Sequence, residues 1–475
     1  LWYRYRIGSS RAFRIVRASN SPSKQDFVAG EIRPAASIGM RQIPASEARR
    51  ALWILTVVYT LSFLDRQIIS IMAEPIKREL HLADWQLGVL TGLAFAIFYT
   101  TASLPVARYA DRANRPRLIA VALTIWSLFT AGAAFTTSFA QLVAMRFGVG
   151  LGEAGCTPPS HALIVDYFPR EKRAGAIGFY NMGISLGTLL GLAVGGLVLD
   201  RVGWRTALVV VGLPGVPIAV LVAWLLREPR THNARSAPRT ASLWTIFSHL
   251  WEKRAFRWTL LGSSLGSLMA YSLGAFTAAF FLRGHGSELG VLAGRLDAAT
   301  GFSVGTIGFL GLSLGIATGV SGAAGTLIGG RTTDRFARRG VNAYMLVAAL
   351  CTVLAIPLFV LVLIIPSAWM ALCVFLFANF TLSFGYPAPY AGVQALVTSE
   401  MRATASALLA FGINLVGLGL GPLSVGALSD VLFHRGFDTT ESLRLALFGA
   451  CAVGFLGALA AFRASRCYAL DAVAD

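Results

Sequence analysis

Charge is what this chain has least of. Asp, Glu, Lys and Arg make up 13% of its 475 residues, about half of the roughly 25% usual in soluble proteins. Hydrophobic residues make up 55%, too many for a fold that must cover its surface with polar groups in water. Acid is scarcer than base, 23 Asp and Glu against 41 Lys and Arg, for a net charge of +18. Cysteine is also rare: Cys156, Cys351, Cys373, Cys451 and Cys467 show no paired spacing. That argues against a disulfide framework or a zinc site, and the first four, within apolar runs, read as small core residues. No Gly-Lys-Ser/Thr phosphate loop occurs, which speaks against direct ATP coupling. The six histidines are scattered without metal-ligand spacing, so no metal or organic cofactor is expected.

What is present is apolar length. A membrane span needs about 20 mostly apolar residues, and twelve runs qualify. In the first half they are 49–73, 85–107, 118–138, 141–165, 174–199 and 204–226. In the second they are 258–282, 303–329, 341–365, 368–397, 403–433 and 443–463. The expected fold is an all-α membrane protein of twelve helices, with a multi-pass location in the bilayer, the inner (plasma) membrane in a bacterium. Most Lys and Arg residues fall in the two tails and the even-numbered loops, which places both termini in the cytoplasm. The basic balance is therefore a statement about orientation, and no nucleic-acid partner is needed to explain it.

Five segments follow: a basic, disordered cytoplasmic tail (1–48), a six-helix bundle (49–226), a cytoplasmic linker (227–257), a second six-helix bundle (258–463) and a short cytoplasmic tail (464–475). A functional monomer is expected. Residues 1–24 carry Arg4, Arg6, Arg11, Arg14, Arg17 and Lys24 without an acid. Such Arg- and Ser-rich leaders can resemble organellar targeting segments, and a disordered basic tail is the plainer reading. In the linker, Ser242 to Trp258 mixes aromatic and basic residues, which suits an amphipathic helix on the inner leaflet.

One pattern repeats. The loop after the second span reads Ala107-Arg-Tyr-Ala-Asp111-Arg112-Ala-Asn-Arg115-Pro-Arg117. The loop after the eighth reads Gly330-Arg-Thr-Thr-Asp334-Arg335-Phe-Ala-Arg338-Arg339. An Asp at a helix end followed by Arg residues can pair with a neighbouring helix and lock one face of the protein. This is similar to the loop signature of the major facilitator superfamily, Gly-x-x-x-Asp-Arg-x-x-Arg-Arg. The second copy matches throughout; in the first, Ala107 replaces the Gly and Pro116 interrupts the basic run. Gly178, Gly187, Gly191, Gly195 and Gly196 resemble the superfamily's spaced glycines in the fifth span, with Leu192 where a Pro is usual. The eleventh span holds Gly417, Gly421, Pro422 and Gly426. Glycines four apart let two helices approach closely, so helix packing that permits rocking is their expected role. The resemblance, over about residues 49–463, implies two six-helix bundles with alternating access between them.

Four ionisable residues lie well inside spans: Asp65 and Arg66 on the first, Arg146 and Glu153 on the fourth. Each isolated charge costs on the order of 2.5–3.5 kcal/mol at a helix centre, so the four are expected to pair or to face a hydrated cavity. At 1.5 Å per residue, Asp65 and Arg146 fall near one level and Glu153 about 10 Å deeper. Arg146 and Glu153, seven apart, share a face. This predicts Asp65 beside Arg146, with Glu153 further in. The cluster reads either as a static ion pair or as carboxylates that exchange protons near neutral pH because little water surrounds them. The second reading, with protons as coupling ion, is the one adopted.

Ser62-Phe63-Leu64-Asp65-Arg66 resembles the first-helix signature of the Spinster family, usually Asn-Tyr-x-Asp-Arg. Arg146-Phe-Gly-Val-Gly150-Leu-Gly152-Glu153-Ala154 is similar to its fourth helix, and Asp166-Tyr-Phe168-Pro169 with Arg173 to the loop that follows. Ser62 and Phe63 depart from the signature. Spinster members are implicated in exporting sphingosine-1-phosphate or moving lysolipids, which the resemblance extends to this chain as an expectation. By analogy with the superfamily, the seventh and tenth spans face the cavity. They bring Ser263, Ser264, Ser267, Tyr271 and Thr277, then Asn379, Thr381, Ser383, Tyr386, Tyr390 and Gln394, most of these hydroxyls being expected to pack or bond to their own helix. Gly385-Tyr386-Pro387-Ala388-Pro389 should break the tenth helix.

The expectation is thus a secondary transporter and not an enzyme. Asp65 and Glu153 respond to protons, while Arg66, Arg146, Asn379, Ser383 and Tyr386 take an amphiphilic lipid with a polar head. A soluble organic anion or sugar acid held by Arg66 or Arg146 is the alternative. Asp111, Arg112, Arg115, Gly330, Asp334, Arg335, Arg338 and Arg339 gate the conformational change, and Gly187, Gly191, Gly195, Gly421 and Pro422 pack helices. Gly148-x-Gly150-x-Gly152 lies in an apolar span and reads as packing, and His161 reads as a satisfied structural histidine in preference to a proton-relay member.

Overall fold

A computed structural model describes residues 43–110, 112–230, 243–398 and 401–471, and within them the chain is helices joined by short turns, with no strand. Helices are what apolar sequence must form where no water can satisfy the backbone. Ten are long and apolar enough to cross a membrane. Large apolar side chains such as Trp53, Trp224, Leu354 and Phe377 stand mostly exposed on the surface, where a bilayer and not water would cover them. The protein is a multi-pass integral membrane protein.

In chain order the helices are α1 (Ala45–Leu80), α2 (Asp84–Ala110), α3 (Arg115–Phe135), α4 (Phe139–Glu153 continued by Thr157–Tyr167), α5 (170–202) and α6 (204–225). The amphipathic α7 (Leu243–Glu252) precedes α8 (Arg254–Gly284), α9 (Gly286–Thr300), α10 (Thr306–Ala337), α11 (Ala343–Ile364), α12 (Ala368–Gln394), α13 (402–434) and α14 (Thr439–Asp471). Two features reconcile ten long helices with twelve expected spans. Gly203, with φ 75°, interrupts the stretch from Glu171 to Leu225, a conformation that Gly adopts without strain. And α4 is in two pieces, neither of them 18 residues long.

Three sequence expectations need correction. The fourth span is broken at Ala154–Cys156, directly after Glu153, because Pro158 and Pro159 carry no N–H to continue the ladder. The connection after the seventh span contains a helix of its own, α9, ended by Gly301 at φ 72°; it is short and only partly apolar, so run length alone overlooks it. The residues from Gly330 to Ala337 belong to the last turns of α10, so Asp334 and Arg335 are helical and not in a loop. The expected break at Gly385–Pro387 in α12 is present.

Glycine sets the helix spacing. A Cβ on Gly187 would lie 2.4 Å from Thr60 O, on Gly191 2.7 Å from Leu64 O, and on Gly195 2.9 Å from Ile68 Cγ1. At these residues α5 lies close against α1. Two further contacts join the first half to the second. Gly196 on α5 would meet Ile307 O of α10 at 2.7 Å, and Gly311 of α10 would meet Leu192 O at 2.3 Å. On the other flank, a Cβ on Gly88 would clash with Pro422 O and one on Gly426 with Asp84 O, while one on Gly421 would lie 2.8 Å from Leu268 O of α8. Two π-helical segments, Val89–Leu93 and Ile413–Leu420, face each other at this seam; such bulges are common at functional sites. Substitution separates seam glycines from spaced glycines that touch nothing. Gly311→Ala should cost about 1–3 kcal/mol by overpacking. Gly178→Ala, with nothing within 4 Å of the added carbon, should be neutral or stabilise by up to about 1 kcal/mol. Thermal unfolding of the two purified variants checks this; equal melting temperatures would contradict it.

Candidate transport site

The four buried charges do converge, but not in the expected pairing. Glu153, 1% exposed, sits at the end of the first piece of α4. Its Oε2 accepts from Ser62 Oγ at 2.7 Å and from Arg66 Nε at 2.7 Å, and lies 2.6 Å from the second Arg66 nitrogen. The direct ion pair of the cluster is thus Arg66–Glu153, one residue on from the Asp65–Arg146 pair expected. Asp65 instead accepts from Thr130 Oγ1 of α3 at 2.8 Å. Arg146 Nε donates to Leu90 O at 3.3 Å, in the π segment of α2, and its guanidinium lies 5.4 Å from the Phe95 ring. Helix rotation explains the difference. Asp65 and Arg66 are adjacent, so they point about 100° apart, and only Arg66 is turned toward Glu153. Ser62, one turn earlier, completes its face.

The Arg66 guanidinium is also caged by aromatic rings, with Phe63, Phe95 and Tyr99 at 4.9, 4.6 and 4.5 Å from their centroids. Cation–π contact of this kind stabilises a desolvated guanidinium by about 1–2 kcal/mol. Glu153 Oε1, by contrast, is buried without a hydrogen-bond partner. Beside Asp65, a void of about 10 Å³ opens between Trp126, Ser127, Gly212 and Gly215, room for about one water.

The second half supplies phenols opposite these charges. Tyr271 of α8 and Tyr386 of α12 lie within electrostatic reach of Arg66 and Tyr99, and Tyr390 sits 5.9 Å from Tyr386 between ring centroids. Tyr386 is half exposed, and the Arg66 side chain keeps 14% of its surface. Asn379 and Ser383 are used differently. Asn379 Nδ2 donates to Ser321 Oγ at 2.9 Å and Thr318 O at 3.3 Å, while Ser383 lies against Gly325, so both hold α12 against α10. Thr277 and Thr381 bond to their own helices. Gly148, Gly150 and Gly152 pack against Phe129, Phe95 and Trp126.

The repeated motif is placed at one end of the molecule, called here the motif end. Asp111 lies outside the described residues. Arg112 is exposed, whereas Arg115 is buried and pairs with Asp166 of α4. Its N–H donates to Glu228 Oε2 at 2.9 Å. Burial pushes the Glu228 carboxyl up, but hydrogen bonds from Arg230 and Arg115 outweigh it and hold it below the usual carboxylate range. In the second copy Asp334, Arg335, Arg338 and Arg339 are exposed. A Cβ on Gly330 would have only Pro387 near, at 3.9 Å, while one on the preceding Gly329 would clash with Phe384 O.

Sequence reasoning missed the opposite end, where the halves are bolted together. Arg283 of α8 donates to both oxygens of Asp84 at 2.9 and 2.7 Å and to Glu74 at 2.9 Å. Its side chain and that of Asp84 are 4% and 5% exposed. Ser429 and Lys77 also hold Asp84. Two carboxylates from opposite halves cap helix starts across the seam. Asp430 of α13 accepts from the N–H groups of Asp84 and Trp85, and Asp200 of α5 accepts from those of Ile307 and Gly308. Both sit at positive helix ends. The sequence shows charges just past the first span, at Glu74, Lys77, Arg78, Glu79 and Asp84; pairing across some 200 residues leaves no local trace.

The Major Facilitator Superfamily model matches residues 55–319. The chain belongs to that superfamily. An MFS-type efflux pump of Mycolicibacterium smegmatis is 34% identical to this transporter over 430 residues, covering 90% of this chain and 94% of its own. A probable L-galactonate transporter of Escherichia coli is 25% identical over 86% of this chain and 87% of its own. The sphingosine-1-phosphate transporter SPNS2 of Danio rerio is 25% identical over 91% of this chain and 86% of its own. Among solved structures, a bacterial homolog to the human lysosomal transporter Spinster, inward-facing and unoccupied, superposes with TM-score 0.78 and 28% identity. It covers 91% of this transporter and 100% of that chain. These matches bear out the Spinster-type resemblance read from Asp65-Arg66 and Glu153.

Proposed function

We propose that this transporter works by alternating access, responds to protons through Asp65 and Glu153, and moves an amphiphilic lipid with a compact charged head, such as a lysophospholipid or sphingoid phosphate. The observation that carries this is the asymmetry of the site. A buried Arg66–Glu153 pair with one free carboxylate oxygen lies on one wall, and tyrosines with no charge of their own lie on the other. An anionic head would find Arg66 and Arg146; a chain would find rings. The name carried by the Danio rerio relative supports a lipid. With the motif end cytoplasmic, as the charge distribution indicates, the bolted end faces out and the state described is closed to the outside.

A second reading is a soluble sugar acid, favoured by the Escherichia coli relative and by the same guanidinium groups. Counterflow in reconstituted vesicles separates the two. Labelled lysophospholipid should exchange against an excess of unlabelled lysophospholipid, with labelled L-galactonate showing no exchange. The reverse result would replace the first reading with the second.

A further inference from the structure

Between Glu153 and the motif end, the first half contains a run of buried polar groups that its hydrogen bonds leave unused. The break after Glu153 starts it. Residues 154–156 are buried, and because Pro158 and Pro159 carry no N–H, the carbonyls of Ala154 and Gly155 lack their usual donors. Glu153 Oε1 and His161 Nε2 are each buried without a hydrogen-bond partner, and the buried Tyr180 Oη has only Ser160 within reach. They are also neighbours. Cys156 Sγ is 3.8 Å from Ser160 Oγ, Tyr180 lies beside Ser160, and the His161 and Tyr180 rings are 5.2 Å apart. Tyr180 in turn stacks on Tyr59 of α1 at 4.3 Å.

The groups are graded in depth. Counting helical rise from Tyr167 and Arg170 at the motif end, His161 lies about 9 Å in and Tyr180 about 15 Å, with Glu153 deeper still, beyond the break. Buried polar groups without protein partners are where ordered water is found. The titratable groups around this run are Tyr59 on α1, Tyr99 on α2, Cys156 on α4 and Tyr180 on α5. The charged ones are Arg66 and Asp65 on α1 and Arg146 on α4 at the Glu153 end, and the Arg115–Asp166 pair of α3 and α4 at the other.

We infer that this run is a proton route. Ordered water joins Glu153 Oε1 through Tyr180 Oη and the His161 ring to the motif end, so protons reach Glu153 inside the first half without crossing the substrate site. A phenol and an imidazole both accept a proton on one side and release one on the other, so no net charge is stored on the way. The inference rests on the reading that Glu153 exchanges protons. It makes His161 and Tyr180 positioning residues for that exchange, and it departs from the structural role expected of His161.

The test is the rate at which Glu153 takes up a proton after a pH jump. The full protein in lipid nanodiscs is followed by infrared absorption of the protonated carboxyl, assigned by its loss in Glu153→Gln. Tyr180→Phe keeps the stack on Tyr59, and His161→Phe keeps the edge contact with Tyr180. Each should slow uptake by about tenfold or more while leaving the pH midpoint of the band in place. Uptake within about twofold of wild type in both variants, with Glu153 still titrating, overturns the route alone. A Glu153 band that does not respond to the pH jump at all overturns both the route and the proton reading beneath it.

Discussion

The Glu153→Gln variant is expected to fold, to exchange substrate, and to lose the response of transport to a pH gradient. Glutamine can still accept from Ser62 Oγ and Arg66, the two groups that hold Oε2, so the geometry survives. It cannot neutralise Arg66 or take up a proton. Removing one partner of a buried ion pair commonly costs 3–5 kcal/mol. Here the orphaned charge is caged by three rings and partly exposed, so the cost should lie at about the lower bound or beneath it. Coupling free energies of about 1–3 kcal/mol correspond to roughly 5–150-fold effects. Gradient-driven uptake should therefore fall by at least about fivefold, while counterflow at equal pH changes little. Arg66→Ala should be worse for folding, because it leaves Glu153, 1% exposed, as an unpaired charge.

The second large effect is expected at the other end. Arg283→Ala removes every guanidinium bond to Asp84 and Glu74. In the closed arrangement two carboxylates are then left buried without that partner; on opening, water reaches them. The variant is thus penalised in one state and not in the other, by about 3 kcal/mol or roughly a hundredfold in their ratio. Spin labels at Thr137 and Phe437, both exposed at this end, should report a new long-distance population. An unchanged distance distribution would mean that the glycine seams, and not the ion pairs, hold this end shut.

What the sequence disclosed and what it hid divide along a physical line. Apolar runs and the rarity of charge between them led to the helices, and charge stranded inside a run led to Asp65, Arg66, Arg146 and Glu153. Both are properties of one segment at a time. Which of these pair is a matter of helix rotation, and one residue of rotation moved the ion pair from Asp65 to Arg66. Thr130, the partner of Asp65, looks like any threonine in a helix until α3 is placed beside α1. Gly329, more tightly packed than the motif's Gly330, is set by where Phe384 falls. The Arg283 cluster and the paired caps of Asp200 and Asp430 exist only once both halves are assembled. The two caps show the internal repeat extending beyond the motifs, since α2 and α10, whose starts they cap, are the helices that run into the two motif copies.

The central claim is that the buried carboxylates couple substrate movement to protons. Its most direct test is to record both together, with labelled lysophospholipid and a pH dye trapped in vesicles holding the wild-type protein or the Asp65→Asn, Glu153→Gln double variant. The wild type should move protons whenever substrate moves down its own gradient, and the double variant should move substrate without protons. Proton flux that is absent from the wild type, or undiminished in the double variant, would contradict the account.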